Sequence, residues 1–144
     1  WKLFTAAGMS ILKNLKPTPS DAIARLRAND PSMISCDLSN SAVFQMKIAE
    51  LMPQLADALQ MNTVCQELNL TSCNIDDAAC VHLARAVQNH PCLAHLNLDG
   101  NRVNNDGASH LARALATNRS IMLLNLMNQK GARFGDPTPT EFLN

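Results

Sequence analysis

Short runs of alternating apolar and polar residues recur along this chain, and each is followed by a stretch with a helical apolar stripe. The run from Cys65 to Ile75 is echoed by the run from Leu93 to Val103. In the stretch that follows the second run, Ala108, Leu111 and Leu115 lie on one face of a predicted amphipathic helix. A strand followed by a helix at a fixed interval predicts a solenoid of stacked units.

Both runs fit the leucine-rich-repeat signature L-x-x-L-x-L-x-x-N/C-x-L, with Leu68 and Leu96 28 residues apart in the same signature position. Aligning the signature along the chain gives four units, which begin near residues 33, 65, 93 and 121. The outer two units fit less well, as capping units usually do. We therefore predict an α/β fold: a short leucine-rich-repeat solenoid, a right-handed β/α superhelix with a parallel sheet of about four strands and N-terminal capping helices.

The chain divides into a short N-terminal segment and the repeat domain. Residues 1–16 are predicted to form an amphipathic helix, and its three lysines favour packing on the solenoid over binding to a membrane or a partner helix. Residues 17–144 form the repeat domain, with a lead-in helix over 19–28 that begins after the N-cap Thr18. The first unit is about four residues longer, around 44–48, and we expect this insertion to change one loop and not the architecture.

Composition narrows the classes of partner. The chain has 144 residues, of which 47% are hydrophobic, and this suits a folded domain with a real core. Its 12 basic and 12 acidic residues give no bulk field for nucleic acid or an anionic membrane. Four Phe, one Trp and no Tyr offer few stacking residues for single-stranded nucleic acid. We therefore expect neither nucleic acid nor a membrane as partner.

Cysteine usage bears on the compartment. The five cysteines are an odd number, and three of them fall at signature positions that take an apolar or ladder residue. They are predicted to be reduced core cysteines and not a disulfide framework. The first residues lack the order of charged, apolar and small residues that marks a signal peptide. We therefore expect an intracellular, cytoplasmic protein.

Patterns that support catalysis or metal binding are weak. His82 and His110 are one repeat apart, so a repeated helix position explains them better than a site. Cys80-x-His82 and Cys92-x-x-His95 resemble halves of a zinc site, but four ligands would have to converge from different elements. No phosphate-binding loop, nucleophile elbow or H-E-x-x-H motif occurs, and nothing favours a Cys/His nucleophile pair. We expect no enzyme activity, no metal and no cofactor.

Two surfaces are candidates for binding a protein. The side chains between the inward leucines line the concave face of the sheet, where we select Glu67, His95, Asn97 and Asp99. The strand-to-helix loops, 71–77 and 100–107, carry exposed polar residues on a rigid scaffold. From these loops we select seven residues: Ser72, Asn74, Asp76, Asp77, Arg102, Asn104 and Asn105.

For two further sets of residues, a structural role has to be weighed against a binding role. Asn101, with Cys73 and Gln129 at the equivalent positions, is expected to bond the turn backbone and to have no binding role. Leu123 and Met127 form an apolar patch on the last strand, which fits either a partner contact or burial under the C-terminal segment.

The details of the repeats resemble one family in particular. The chain is similar to the C-terminal leucine-rich-repeat domain of tropomodulins and leiomodins. The features that carry the similarity are the lead-in helix that ends at residues 28–31, the long first unit, the motif at 96–101 and Asn128-Gln129 before a glycine-containing loop. The resemblance covers roughly Pro19 to Leu143. The resemblance implies a noncatalytic cytoskeletal module that binds actin, either at the pointed end of the filament or as the monomer. In the family, tropomyosin is bound by regions that have no counterpart here. Alternatives are a scaffold fragment of a larger signalling protein and a GTPase-activating repeat protein.

Overall fold

The computed structural model describes residues 16–131, which contain a four-stranded parallel sheet. The strands follow chain order across the sheet, and they are β1 (Ser35–Asp37), β2 (Glu67–Asn69), β3 (His95–Asn97) and β4 (Leu123–Asn125). Leu68 pairs with Leu96, and Leu96 pairs with Leu124. The predicted parallel sheet and its register are therefore confirmed.

The described residues contain five helices, of which the first precedes the sheet and the others lie between its strands in the chain. They are α1 (Pro19–Arg27), α2 (Ala42–Met46), α3 (Ile48–Met61), α4 (Asp77–Val87) and α5 (Asn105–Thr117). Helix α1 packs against α3, α3 against α4, and α4 against α5, so each unit contacts its neighbour. The amphipathic helix predicted over residues 1–16 lies outside the described residues. None of the described helices is long and apolar enough to span a membrane.

Helix α1 begins as the sequence predicts. The Thr18 hydroxyl oxygen accepts a hydrogen bond of 3.2 Å from the backbone N–H of Asp21, and Pro19 occupies the first turn. The helix ends at Arg27, one residue before the predicted boundary. Asn29 then takes a φ of 58°, a left-handed conformation that asparagine tolerates and that terminates the helix.

The insertion in the first unit folds into helix α2 and does not form the simple loop change that we expected. The Ser41 hydroxyl oxygen accepts a hydrogen bond of 3.1 Å from the backbone N–H of Phe44 and caps the helix. The Phe44 side chain is fully buried, so its apolar surface anchors the short helix on the core. The sheet continues undisturbed beside it, which confirms that the architecture is kept.

The core lies between the sheet and the helices. The inward leucines of the first three units are at most 1% exposed, and Ala108 and Leu111 of the predicted α5 stripe are equally buried. These leucines are Leu38, Leu68, Leu70, Leu96 and Leu98. In the fourth unit Leu124 and Leu126 are only partly buried against this core.

Asn101 joins consecutive strand-to-helix turns, as the sequence predicts. Its Oδ1 accepts backbone N–H hydrogen bonds from Cys73 at 2.8 Å and Ile75 at 3.0 Å. Its Nδ2 donates to the carbonyl oxygen of Leu98 at 2.9 Å, and Gln129 Nε2 donates to the same oxygen at 2.7 Å. A buried asparagine with its polar atoms satisfied in this way stabilises the turns and is not available to a partner.

A second polar ladder joins the helix-to-strand turns at the opposite edge. Asn62, His90 and Asn118 are each 28 residues apart. His90 Nδ1 accepts from the backbone N–H of Leu93 at 3.0 Å, and Asn118 Oδ1 accepts from that of Ile121 at 2.7 Å. The sequence analysis did not detect this ladder, because its middle member differs in residue type from the other two.

Candidate protein-binding site

The concave face of the sheet is a shallow, open depression of about 260 Å³. Glu67 and His95 lie side by side on β2 and β3, with Glu67 Oε1 3.5 Å from His95 Nδ1. Each side chain is about half exposed, at 55% and 49%. An exposed pair of this kind adds little to stability, so both side chains remain available to a partner.

The column of Asp37, Asn69, Asn97 and Asn125 has a structural role at the end of each strand. In every case the side-chain oxygen accepts the backbone N–H of the residue two positions later, over 2.9–3.0 Å. This is an Asx turn, which directs the chain out of the strand. Asn97 was predicted as a contact residue, and in this structure its side-chain oxygen already accepts one backbone N–H.

Leu123 and Met127 are exposed by 56% and 66% on the last strand. Asp99, in the column of Met127, accepts a 3.0 Å hydrogen bond from Asn128 Nδ2. The C-terminal segment that was expected as an alternative cover for the patch lies outside the described residues.

Four of the seven predicted loop residues lie where α4 and α5 begin. Asp76 caps α4 by accepting the backbone N–H of Ala79 at 2.9 Å. Asp77 Oδ1 accepts the backbone N–H of Asn104 at 2.7 Å, which ties the two loops together, and Asn105 opens α5. The cap-type residues of these loops are therefore partly committed to starting helices.

The other three predicted loop residues, Ser72, Asn74 and Arg102, line one small cleft with three residues that the sequence analysis missed. Those three are Gln45, Gly100 and Lys130. The cleft measures about 180 Å³ and crosses four successive units. We call these six residues the loop cleft. No sequence signal connected them, because they come from four different segments of the chain.

The thiols are poorly suited to nucleophilic chemistry. All five cysteines are free, and Cys36, Cys65, Cys73 and Cys80 are buried. Burial raises the pKa of Cys36 and Cys80 to about 12 and that of Cys65 and Cys73 to about 11. The thiolate is the reactive form, so these cysteines stay unreactive near neutral pH.

The two motifs that resemble halves of a zinc site, Cys80-x-His82 and Cys92-x-x-His95, do not come together. Cys80 is buried in α4, whereas Cys92 Sγ lies 3.3 Å from the carbonyl oxygens of Thr63 and Cys65. Within residues 16–131 there is no group of three or more side chains that can hold a metal ion.

A parallel sheet of short strands, backed by one helix per unit and joined by buried asparagine turns, defines a leucine-rich-repeat solenoid whose exposed polar loops suit protein binding. The family model described as the TMOD/LMOD leucine-rich domain matches residues 18–143. The chain therefore belongs to the family of tropomodulin and leiomodin leucine-rich domains, which confirms the resemblance seen in the sequence.

Solved structures agree with this assignment. A structure titled leiomodin-1 actin-binding site 2 is 28% identical, with a TM-score of 0.77, over 88% of this chain and 71% of that one. The tropomodulin C-terminal domain of Caenorhabditis elegans has a TM-score of 0.79 at 20% identity, over 88% of this chain and 74% of that one. The second likeness shows the fold alone. A comparison with curated protein sequences gave no match.

Proposed function

We propose that this chain is a noncatalytic protein-interaction module that binds actin in the cytoplasmic cytoskeleton. The observation that carries the proposal is the similarity over most of the chain to the solved leiomodin-1 domain, whose title names it an actin-binding site. Membership of the tropomodulin and leiomodin family supports the same partner.

The surface chemistry supports binding and not catalysis. The concave face and the loop cleft are open and lined mainly by polar side chains, whereas substrate pockets are usually enclosed and largely apolar. The buried thiols have raised pKa values, and both ring nitrogens of His90 are engaged in hydrogen bonds. The four buried thiols and His90 are therefore not placed to act as a nucleophile or a general base.

The strand-to-helix loops and the concave face are the proposed contact regions. Arg102 and Asn104 are exposed on the loops, and Glu67 and His95 are exposed on the sheet. Rigid elements hold all four, so binding would cost little conformational entropy in the backbone.

Binding to actin is tested by two assays with the purified chain. Cosedimentation with actin filaments and fluorescence anisotropy with labelled actin monomers are run at micromolar concentrations. The chain without actin and the chain with microtubules serve as controls for self-sedimentation and for nonspecific adhesion to filaments. We expect saturable binding to filaments or monomers and none to microtubules. Absence of binding to both forms of actin would overturn the proposal.

A further inference from the structure

The walls of the loop cleft are held by hydrogen bonds between units. Gln45 of helix α2 donates from Nε2 to the carbonyl oxygen of Ser72 over 2.6 Å. Asn74 Nδ2 returns a longer contact of 3.4 Å to the carbonyl oxygen of Gln45. The insertion in the first unit, which folds as α2, therefore supplies one fixed wall of the cleft.

Gly100 lets the loops of the second and third units approach closely. Its φ is +70°, and a Cβ at this position would lie 2.7 Å from Ser72 Oγ. Glycine adopts this φ without strain, and its lack of a Cβ leaves room for the serine hydroxyl. The Ser72 side chain therefore lies against Gly100 in the lining of the cleft.

Among residues 16–131, two cations and no carboxylate line the cleft. Arg102 and Lys130 are exposed, but their backbones are fixed by hydrogen bonds to the carbonyl oxygens of Ile75 at 2.8 Å and Asn101 at 2.7 Å. Among the described residues, neither cationic side chain has a hydrogen bond or an ion pair. Two positive charges that have no ion pair within the described part of the chain, carried on fixed backbone, make this a complementary surface for negative charge.

The donors in the cleft suit a carboxylate better than a phosphate. Phosphate sites usually offer several free backbone N–H groups in a concave nest. Here the N–H of Ser72 is bonded to Asp99 and that of Gly100 to Met127. The donors that remain include the guanidinium, the ammonium, the Ser72 hydroxyl and the second N–H of the Asn74 side-chain amide, and an arginine fork pairs well with a carboxylate.

We propose that the loop cleft receives acidic side chains, Asp or Glu, from the surface of the protein partner, with Arg102 and Lys130 as their counter-ions. This inference rests on the proposed function, since it assigns the part of the surface that contacts the acidic side chains of the partner. The cleft then fixes where the partner sits along the loop edge. Rim charges of this kind set association rate and salt dependence.

Charge reversal tests the cleft directly. The double variant Arg102→Glu/Lys130→Glu is expected to lower affinity for actin at least tenfold and to weaken its dependence on salt. A milder variant, Arg102→Gln/Lys130→Gln, is expected to give a smaller loss in the same direction, and it keeps the test valid if the reversal disturbs folding. The matched control Arg113→Glu/Arg119→Glu changes the net charge equally at exposed positions outside the cleft. We expect its affinity within twofold of the parent.

A second probe separates failure of the cleft from failure of the proposed function. A blocked tetrapeptide of alternating Asp and Glu is titrated into ¹⁵N-labelled protein while the amide resonances of Ser72, Gly100, Arg102 and Lys130 are followed. These resonances are expected to shift with the acidic peptide and not with the Asn/Gln peptide of equal length. Unchanged actin affinity in both cleft variants, or no shift with the acidic peptide, overturns the cleft assignment. Peptide shifts without any actin binding would overturn the proposed function alone.

Discussion

His90 Nε2 donates a 3.2 Å hydrogen bond to Oδ1 of Asn62, which holds the same position one repeat earlier. His90 Nδ1 accepts the backbone N–H groups of Leu93 at 3.0 Å and Cys92 at 3.3 Å. A ring nitrogen that accepts cannot carry a proton, so this geometry assigns the neutral tautomer with its proton on Nε2. The helix-to-strand edge of the solenoid therefore depends on an uncharged histidine.

We expect the protein to lose stability in mild acid because of His90. Burial lowers the pKa of this histidine in the folded state, whereas a histidine in the unfolded chain has a pKa of about 6.5. Below that pH the unfolded state binds more protons, so the free energy of unfolding falls as pH falls through the window between the two pKa values. Urea unfolding at a series of pH values measures this slope.

Replacement by the residue used elsewhere in the ladder isolates the effect. His90→Asn keeps a side chain of the kind found at Asn62 and Asn118 but has no group that titrates. Its unfolding free energy should vary less between about pH 7 and 5 than that of the parent. Equal slopes in the parent and His90→Asn would refute this account.

The buried turn asparagine should be among the most sensitive positions. Asn101→Ala leaves the N–H groups of Cys73 and Ile75 buried without an acceptor, and each such group costs about 1–3 kcal/mol. We expect a loss of about 3 kcal/mol or more in the free energy of unfolding. Asn104→Ala is the control, because the Asn104 side chain makes no capping hydrogen bond and should change stability by less than about 0.5 kcal/mol. Similar losses of stability for both variants in chemical denaturation would contradict the structural role given to the Asn101 hydrogen bonds.

Gly107 is required where α5 crosses α4. A Cβ there would lie 2.5 Å from Asp77 Oδ1 and 3.1 Å from both Asp77 Cα and Cys80 Sγ. Overpacking lowers the free energy of unfolding by about 1–3 kcal/mol, and the better helix propensity of alanine raises it by about 1 kcal/mol. Gly107→Ala is therefore expected to destabilise the protein by about 1 kcal/mol in thermal or urea unfolding. Ser109→Ala in the same helix should be nearly neutral, and a stabilised Gly107→Ala variant would show that the helices separate easily.

The repeat made the fold predictable. Leucine spacing gave the strand register because a buried parallel sheet needs Leu68, Leu96 and Leu124 opposite one another. The role of Asn101 followed from its place in the signature. Helix α2 was not predicted from the sequence. The burial of Phe44 stabilises its five residues, and this is a tertiary contact that the local sequence pattern does not encode.

The binding surfaces were less predictable than the fold. Ser72 and Arg102 were selected because they lie in strand-to-helix loops, but sequence gave no sign that Gln45 and Lys130 meet them in one cleft. Asp77 was selected on the same ground, yet one of its carboxylate oxygens accepts the Asn104 backbone N–H. Loop position predicts exposure, whereas hydrogen bonding between units decides which polar atoms remain available.

Hydrogen exchange of the chain with and without actin monomers tests the central claim most directly, because it locates a contact as well as detecting it. Monomers held unpolymerised by latrunculin are added in excess over the dissociation constant. We predict slower exchange in peptides that cover residues 71–77 and 99–107, with peptides on the outer faces of α3 and α4 unchanged. Unaltered exchange throughout, or protection confined to those helices, would contradict an actin-binding module that works through its strand-to-helix loops.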